Sequence, residues 1–251
     1  FAGTCAVTIL SAYEKKGDKF IVNDINQPLI ELMRECVNNP ERLYQSYKKI
    51  WEGQFLNGED NNTYLYKMRE QFNAGDHEPA KMLFLLARVV KGAIRYNSQG
   101  MMNQSCDKRR FGTKPDVIFE NAIRISELLK GKIEFYSLDY KEIFEIAKSG
   151  DLVYLDPPYQ GTSNRKNPRD NRYIQGVDFD EFVDSLYKLS CKGVNYIVSY
   201  DGKTGDKSIG KLLPDELGLT HLYEITYESL YVSKGLVRKS DRYQQLCFKF
   251  A

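Results

Sequence analysis

The sequence predicts an α/β protein: a mostly parallel sheet with an antiparallel edge strand, interrupted by an inserted, mainly helical lobe. Three observations predict it. Short apolar strands alternate with amphipathic helices in the first and later parts of the chain, the rhythm of a parallel sheet covered on both faces. Between residues 40 and 92 the apolar spacing is helical, with no strand to continue that rhythm. Near its end the chain reads as two strands without a helix between them, which calls for an antiparallel pair at one edge. The domain division that follows is residues 1–39 and 130–251 for the sheet domain and residues 40–129 for the lobe.

In chain order, residues 19–22 form a short strand that ends in the polar Asn23-Asp24-Ile25-Asn26. Residues 27–37 carry Leu29, Ile30, Met33 and Val37 at helical spacing, with Pro28 in a first turn that tolerates its missing N–H. The helical run over 40–92 has breaks at Asn57-Gly58 and Ala74-Gly75, and Trp51, Tyr64 and Tyr66 are read as lobe core. Residues 94–114, rich in Asn, Gly, Arg and Lys, are a loop or hairpin, and 116–129 resume a helix. Strand and helix then alternate: a strand over 133–137, a helix over 140–147, a buried strand over 152–155, a helix over 179–189 and a strand over 196–199. Residues 219–226 and 244–250 are the closing strands.

Composition excludes several classes. With 42% hydrophobic and 28% charged residues in 251, the chain lies in the globular range rather than the disordered or fibrous one. Its longest apolar stretch, residues 82–90, is interrupted by Arg88 and falls far short of the roughly 20 residues a bilayer requires. Cys5, Cys36, Cys106, Cys191 and Cys247 are odd in number and scattered, the pattern of reduced thiols in a cytoplasmic protein rather than of a disulfide framework or zinc site. His77 and His221 are the only histidines, so no catalytic metal is expected. The chain opens on Phe1 with no leader-like segment, and its numbering is expected to begin partway into the natural protein.

A net charge of +2 neither demands nor excludes nucleic acid, but local charge says more. Lys108, Arg109, Arg110 and Lys114 cluster without an acid, and Arg165, Lys166, Arg169 and Arg172 face Asp170 alone. Both runs lie in turn-rich segments, where a solvated loop and a phosphate-binding surface are the two readings. Gly205 to Lys211 fits the spacing of a phosphate loop, yet Leu212 stands where magnesium needs a hydroxyl. It is read as a polar loop.

The sharpest chemical signal follows the apolar strand Leu152-Val153-Tyr154-Leu155: Asp156-Pro157-Pro158-Tyr159. Ligands of such sheets bind at the carboxyl ends of the strands. Two prolines fix φ twice and remove two donors, so an acceptor carboxylate, an acceptor carbonyl and an aromatic face leave the strand together. That set suits a flat molecule bearing an NH2 group. The plainer alternative is a tight Asp-Pro turn beside a packed tyrosine.

Asp-Pro-Pro-Tyr after a strand resembles the catalytic motif of the amino-methyltransferases that use S-adenosylmethionine, and most of the chain is similar to the Dam-like class of DNA adenine-N6 methyltransferases. Phe1-Ala2-Gly3 resembles that family's Phe-x-Gly cofactor loop. Asn23-Asp24-Ile25-Asn26 is similar to the segment whose acid binds the cofactor ribose, and the spacing from Gly3 to Asp24 suits a loop, a helix and a strand. Asp139-Tyr140 sits where the family binds the cofactor's adenine amine, although Asp139 is also a plain helix N-cap. Arg95-Tyr96-Asn97-Ser98-Gln99-Gly100, with Asn103, resembles the DNA-contacting loop of the recognition lobe, and Tyr227-Glu228-Ser229-Leu230-Tyr231 and Gln245-Leu246-Cys247-Phe248 resemble the terminal hairpin region.

The resemblance implies a Rossmann-like methyltransferase sheet with an inserted DNA-recognition lobe, S-adenosylmethionine as cofactor and double-stranded DNA as partner, with a separate restriction endonuclease as a further partner if the enzyme serves a restriction-modification system. Asp156, Pro157, Pro158 and Tyr159 are its catalytic residues. Phe1, Ala2, Gly3, Asp24, Ile25, Asp139, Tyr140 and Asp156 are its cofactor contacts. Arg95, Asn97, Lys108, Arg109, Arg110, Arg165, Lys166 and Arg172 are its DNA contacts. The target adenine is flipped out of the helix to reach the site.

Two features depart from the family. Cys5 occupies the position of a second glycine, which sets a side chain against the backbone's approach to the methionine moiety. The family's upstream Gly-Gly-Lys motif would precede Phe1. Three functions remain open on the sequence: adenine-N6 transfer to DNA, transfer to cytosine N4 or RNA adenine, and a catalytically inactive DNA-binding relative.

Overall fold

A computed structural model describes residues 1–56, 58, 60–89, 95–97, 99–107, 110–160, 176–201, 203–204, 207–208, 210–225 and 228–232. The described chain forms two compact units, one of residues 2–138 and one of Phe1 with the described residues from 139 onward. It is a mixed α/β structure. Among the described residues no helix is long and apolar enough to cross a membrane.

The unit of residues 2–138 holds α1 (Ala6–Tyr13), β1 (Phe20–Asn23), α2 (Gln27–Asn38), α3 (Pro40–Gly53), α4 (Asn61–Asn73), α5 (Pro79–Arg88), α6 (Pro115–Leu129) and β2 (Ile133–Tyr136). Proline stands in the first turn of α2, α3, α5 and α6, where φ is already helical and no N–H is needed. β1 and β2 pair in parallel, Phe20 opposite Ile133 through Asn23 opposite Tyr136. The helices bury Leu43, Tyr47, Leu65, Phe72, Phe84 and Leu85, and Trp51, Tyr64 and Tyr66 pack against them as lobe core. Residues 95–107 fold back as a loose hairpin, with bridges from Tyr96 to Met102 and from Val89 to Cys106.

Arg88, which the sequence offers only as an interruption of an apolar run, lies inside this core at 1% exposure. Its Nη1 donates to Gln54 Oε1 at 2.7 Å and its Nη2 to the Asn61 carbonyl at 3.1 Å. The guanidinium also lies over the rings of Phe84 and Phe111. Burial lowers its pKa, since the charged form is the one that loses water.

The second unit holds α7 (Tyr140–Ile146), β3 (Leu152–Leu155), α8 (Phe179–Cys191), β4 (Asn195–Asp201), the short hairpin β5 (Lys203–Thr204) and β6 (Lys207–Ser208), a 3-10 turn at Asp215–Leu217, β7 (Thr220–Ile225) and β8 (Glu228–Val232). Its main sheet runs β3-β4-β8-β7. β3 and β4 are parallel, while β8 is antiparallel to both β4 and β7. The buried cluster beneath it includes Phe144, Leu155, Phe182, Leu186, Tyr196 and Val198.

The expected strand over 219–226 is present as β7, which pairs antiparallel with β8, whereas the expected closing strand over 244–250 lies outside the described residues. β8 reads Glu-Ser-Leu-Tyr-Val, without the strict apolar-polar alternation of a half-buried strand; only the resemblance of residues 227–231 to a terminal hairpin points to it. One expectation is corrected. The run over 152–155 is expected to be buried, yet Leu152 and Tyr154 are 57% and 37% exposed. Alternate side chains of a strand face opposite ways, and the cluster that packs Val153 and Leu155 covers one face.

Glu35 on α2 accepts hydrogen bonds from Arg42 on α3 and from Asn39 Nδ2 at 3.1 Å. The bonds from Arg42, helped by Asn39 and opposed by burial, hold its carboxyl below the ordinary value of 4.5. Its ionised form therefore contributes stability above about pH 4.5, and that contribution disappears as pH falls through the lower folded-state value. Urea unfolding of Glu35→Gln should show lower stability at pH 6 and a shallower loss between pH 5 and pH 3 than the unaltered chain, with the two curves converging in acid.

Candidate functional site

In the unit of residues 2–138, the Asp24 carboxylate organises the turn after β1. Its Oδ2 accepts from the Gly3 N–H at 3.0 Å and its Oδ1 from the Asn26 N–H at 2.9 Å. The Ala2 N–H donates to the Asn23 carbonyl at 3.0 Å, so Ala2 and Gly3 lie along the end of β1. Asn23 fastens the same turn to the segment after β2, with Nδ2 donating to the Leu138 carbonyl and Oδ1 accepting from the Leu138 N–H. Ala2, Gly3, Asp24 and Ile25 are thus gathered around one strand end, half-buried or exposed.

Cys5 closes this loop in the left-handed conformation, φ 58°, which costs a non-glycine residue about 1–2 kcal/mol. That is the conformation glycine adopts freely, and glycine is what the resembled motif carries there. The concern that the Cys5 side chain obstructs the loop does not hold, because it points into a small core with Val22, Ile30 and Met33. Burial, and then the nearby Asp24 charge, push its thiol up to about 12. Gly3, at φ 50°, has open space where a Cβ would stand.

The second unit carries Asp156-Pro157-Pro158-Tyr159 at the carboxyl end of β3. Because β4 runs parallel to β3, with Leu155 opposite Val198, Ser199 and Tyr200 emerge on the same side. Tyr159 Oη lies 2.9 Å from Ser199 Oγ, and its ring meets Tyr200 edge to face. That fixes the tyrosine at two points. Asp156 is exposed and Pro157 buried. Gln160 then fastens the chain to Lys211, donating to its carbonyl and accepting from its N–H.

Phe1 and Tyr140 belong to the same aromatic cluster. Their centroids are 5.3 Å apart, both contact Phe182, and Phe182 contacts Tyr200. The Tyr140 hydroxyl is buried, with Ser185 as its hydrogen-bonding neighbour. Asp139 caps α7, accepting from the Lys141 N–H at 2.9 Å while Glu142 accepts from the Asp139 N–H at 3.3 Å. The capping reading of Asp139 is therefore satisfied by the fold itself.

The remaining expected residues belong to the hairpin over 95–107 and to the basic runs. The Arg95 N–H donates to Gln104 Oε1, and Arg69 holds the Gln104 carbonyl. Asn97 Oδ1 accepts from the N–H groups of Gln99 and Met101, so its carboxamide shapes the turn. Asn73 clasps Met102 with a bond in each direction. Arg110 is ion-paired with Asp107 at 3.2 Å. Lys108, Arg109, Arg165, Lys166 and Arg172 lie outside the described residues.

The profile of the D12 class N6 adenine-specific DNA methyltransferases matches residues 1–244. The chain belongs to this family. Relatives of this D12-class chain include a retron Ec67 DNA adenine methylase of Escherichia coli, 28% identical over 249 residues, 94% of this chain and 76% of that protein. The DNA adenine methylase of Haemophilus influenzae is 30% identical over 66% of this chain and 56% of its own. The type II methyltransferase M1.LlaDCHI of Lactococcus lactis is 26% identical over 74% of this chain and 66% of its own.

Several residues of the D12-class chain escape a reading by motif: Ser199, Tyr200 and Phe182 in one unit, Gln104 in the other. Each is placed by long-range packing and leaves no local pattern. The signal available for Ser199 is a hydroxyl at the end of a strand parallel to the Asp-Pro-Pro-Tyr strand.

The thiols offer a direct check of this geometry. Cys5 and Cys36 are buried with raised pKa values, whereas Cys191 is exposed. Brief iodoacetamide treatment at pH 8, followed by peptide mass mapping, should label Cys191 and leave Cys5 unmodified until the chain is unfolded. Labelling of native Cys5 at a comparable rate would contradict its inward placement.

Proposed function

We propose that the protein transfers a methyl group from S-adenosylmethionine to the N6 of adenine in double-stranded DNA, after flipping the base into the Asp-Pro-Pro-Tyr site. Family membership supports the reaction class. The single observation that carries the reading is the arrangement after β3, where Tyr159 is held by Ser199 and Tyr200 beside an exposed acceptor carboxylate.

The residues present fit the cofactor. A carboxylate has about four acceptor sites; backbone N–H groups take two at Asp24, and the others suit a pair of ribose hydroxyls. Open space at Gly3 admits a ligand close to the backbone. Ala2 and Ile25 lie beside Asp24, and Phe1, Asp139 and Tyr140 are carried over from the family's motifs. When bound, the cofactor supplies an electrophilic methyl group.

The chain's own residues prepare the acceptor. The adenine N6 lone pair is delocalised into the ring, which makes it a poor nucleophile. The Asp156 carboxylate and the Pro157 carbonyl each accept one N6 hydrogen, drawing the nitrogen towards tetrahedral geometry and freeing the lone pair. This is catalysis by orientation and placed charge. Pro158 stiffens the turn, and Tyr159 stacks on the base.

Residues 40–129 serve as the recognition lobe, and residues 1–39 and 130–251 as the catalytic domain. Arg95, Asn97, Lys108, Arg109 and Arg110 meet bases or phosphates, and Arg165, Lys166 and Arg172 hold the backbone around the flipped site. The protein works in the cytoplasm, and a separately acting restriction endonuclease is its partner if it protects host DNA.

Incubation with tritiated S-adenosylmethionine and unmethylated genomic DNA should put label into N6-methyladenine after digestion to nucleosides. Label in N4-methylcytosine or RNA would move the acceptor, and none would point to an inactive relative. Asp156→Ala should lower transfer by at least about 10²–10³-fold and leave DNA binding within a few fold. Arg95→Ala should weaken DNA binding while transfer at saturating DNA is largely kept.

A further inference from the structure

Tyr96 lies between the two proposed binding segments of residues 2–138. Its ring is 5% exposed, and its hydroxyl donates to Asn26 Oδ1 at 3.2 Å. The Asn26 N–H donates to Asp24 Oδ1, and Asp24 Oδ2 accepts from the Gly3 N–H. A continuous set of hydrogen bonds therefore runs from the hairpin of Arg95 and Asn97 to the loop of Gly3.

The start of α2 accommodates this path. Asn26 immediately precedes α2, where asparagine usually caps the helix with its side-chain oxygen, worth about 1 kcal/mol. Here Asn26 makes no capping bond, because Oδ1 accepts from Tyr96 instead. Asn39 and Asp60, which precede α3 and α4, make no capping bond either; what distinguishes Asn26 is its bond to a ring seventy residues away. Burial pushes the Tyr96 phenol up to about 12, so it remains a donor at neutral pH. Its neighbours are fixed on both sides, Arg95 by Gln104 and Asn97 by Met101. The ring cannot shift without the hairpin.

We propose that Tyr96 is a positioning residue that ties the DNA-reading hairpin to the turn of Asp24, so that occupying either site favours occupation of the other. The inference rests on the reading above, in which Asp24 holds the cofactor and Arg95 with Asn97 meets DNA. No change of shape is required: ordering one end of the hydrogen-bonded path lowers the entropic cost of ordering the other. Such linkage is reciprocal.

The test is equilibrium dialysis of tritiated S-adenosylhomocysteine, which permits no turnover, with and without sheared unmethylated genomic DNA. DNA should tighten its binding at least about 5-fold in the unaltered chain, the lower end of common couplings. In Tyr96→Phe, which keeps the ring, and in Asn26→Ala, which removes the acceptor, the factor should fall below about 2-fold, and combining them should add nothing. The unfolding temperature of Tyr96→Phe should stay within a few degrees of the parent, separating lost linkage from lost structure. An unaltered chain that ignores DNA, or a Tyr96→Phe chain with the full factor, overturns the proposal. Asp24→Asn separates the two layers: if it weakens S-adenosylhomocysteine binding while Tyr96→Phe keeps the parental factor, only the Tyr96 linkage fails. If Asp24→Asn binds as tightly as the parent, the cofactor reading fails and the linkage with it.

Discussion

The carboxylate of Asp24, with a backbone N–H on each oxygen, is the interaction around which residues 2–138 arrange their polar surface. It holds the Gly3 loop against the end of β1 and sets the turn into α2. Neither bond could be replaced by packing, since the groups it satisfies are backbone donors at a strand end that is only half covered, where directionality rather than burial decides geometry. The left-handed Cys5, the diverted Asn26 and the buried Tyr96 are all adjustments made around that carboxylate. Each gives up something local, whether a relaxed φ, a helix cap or an exposed hydroxyl.

The other unit solves a different problem. A rigid turn with two prolines cannot satisfy its own carbonyls, so its direction has to be set by what surrounds it. Parallel pairing of β3 with β4 brings Ser199 and Tyr200 out beside it, and these hold Tyr159 by a hydrogen bond and an edge-to-face ring contact. The same aromatic cluster reaches Phe1 and Tyr140 through Phe182. An aromatic floor of this kind is stiff because interlocked rings have few rotamers, which suits a site whose proposed work is orientation.

Much of this was legible from spacing alone. The helical periodicities of α2, α3, α5 and α6 are strong because each buries one stripe, and the prolines that open these four mark their starts. β3 is legible as an apolar run, though its exposure is not, since one sequence cannot say which faces of a strand are covered. β8 carries no clear period of its own and is placed by the edges that β4 and β7 offer it. Arg88 reads as a break in an apolar stretch and turns out to be core, because Gln54 and the Asn61 carbonyl, distant in sequence, supply acceptors.

The sequence by itself determined the alternation of strands and helices, the helical stretch over 40–92 and the presence of an acceptor carboxylate, a carbonyl and an aromatic ring in one tetrapeptide. Those properties are local, set by side-chain period and by the restricted backbone of proline. Only the tertiary structure decided that the Cys5 side chain turns inward, that Arg88 finds its acceptors and that Tyr96 reaches Asn26, seventy residues away. Such outcomes depend on which distant donor or acceptor arrives first at a given polar atom, and chain spacing carries no record of that.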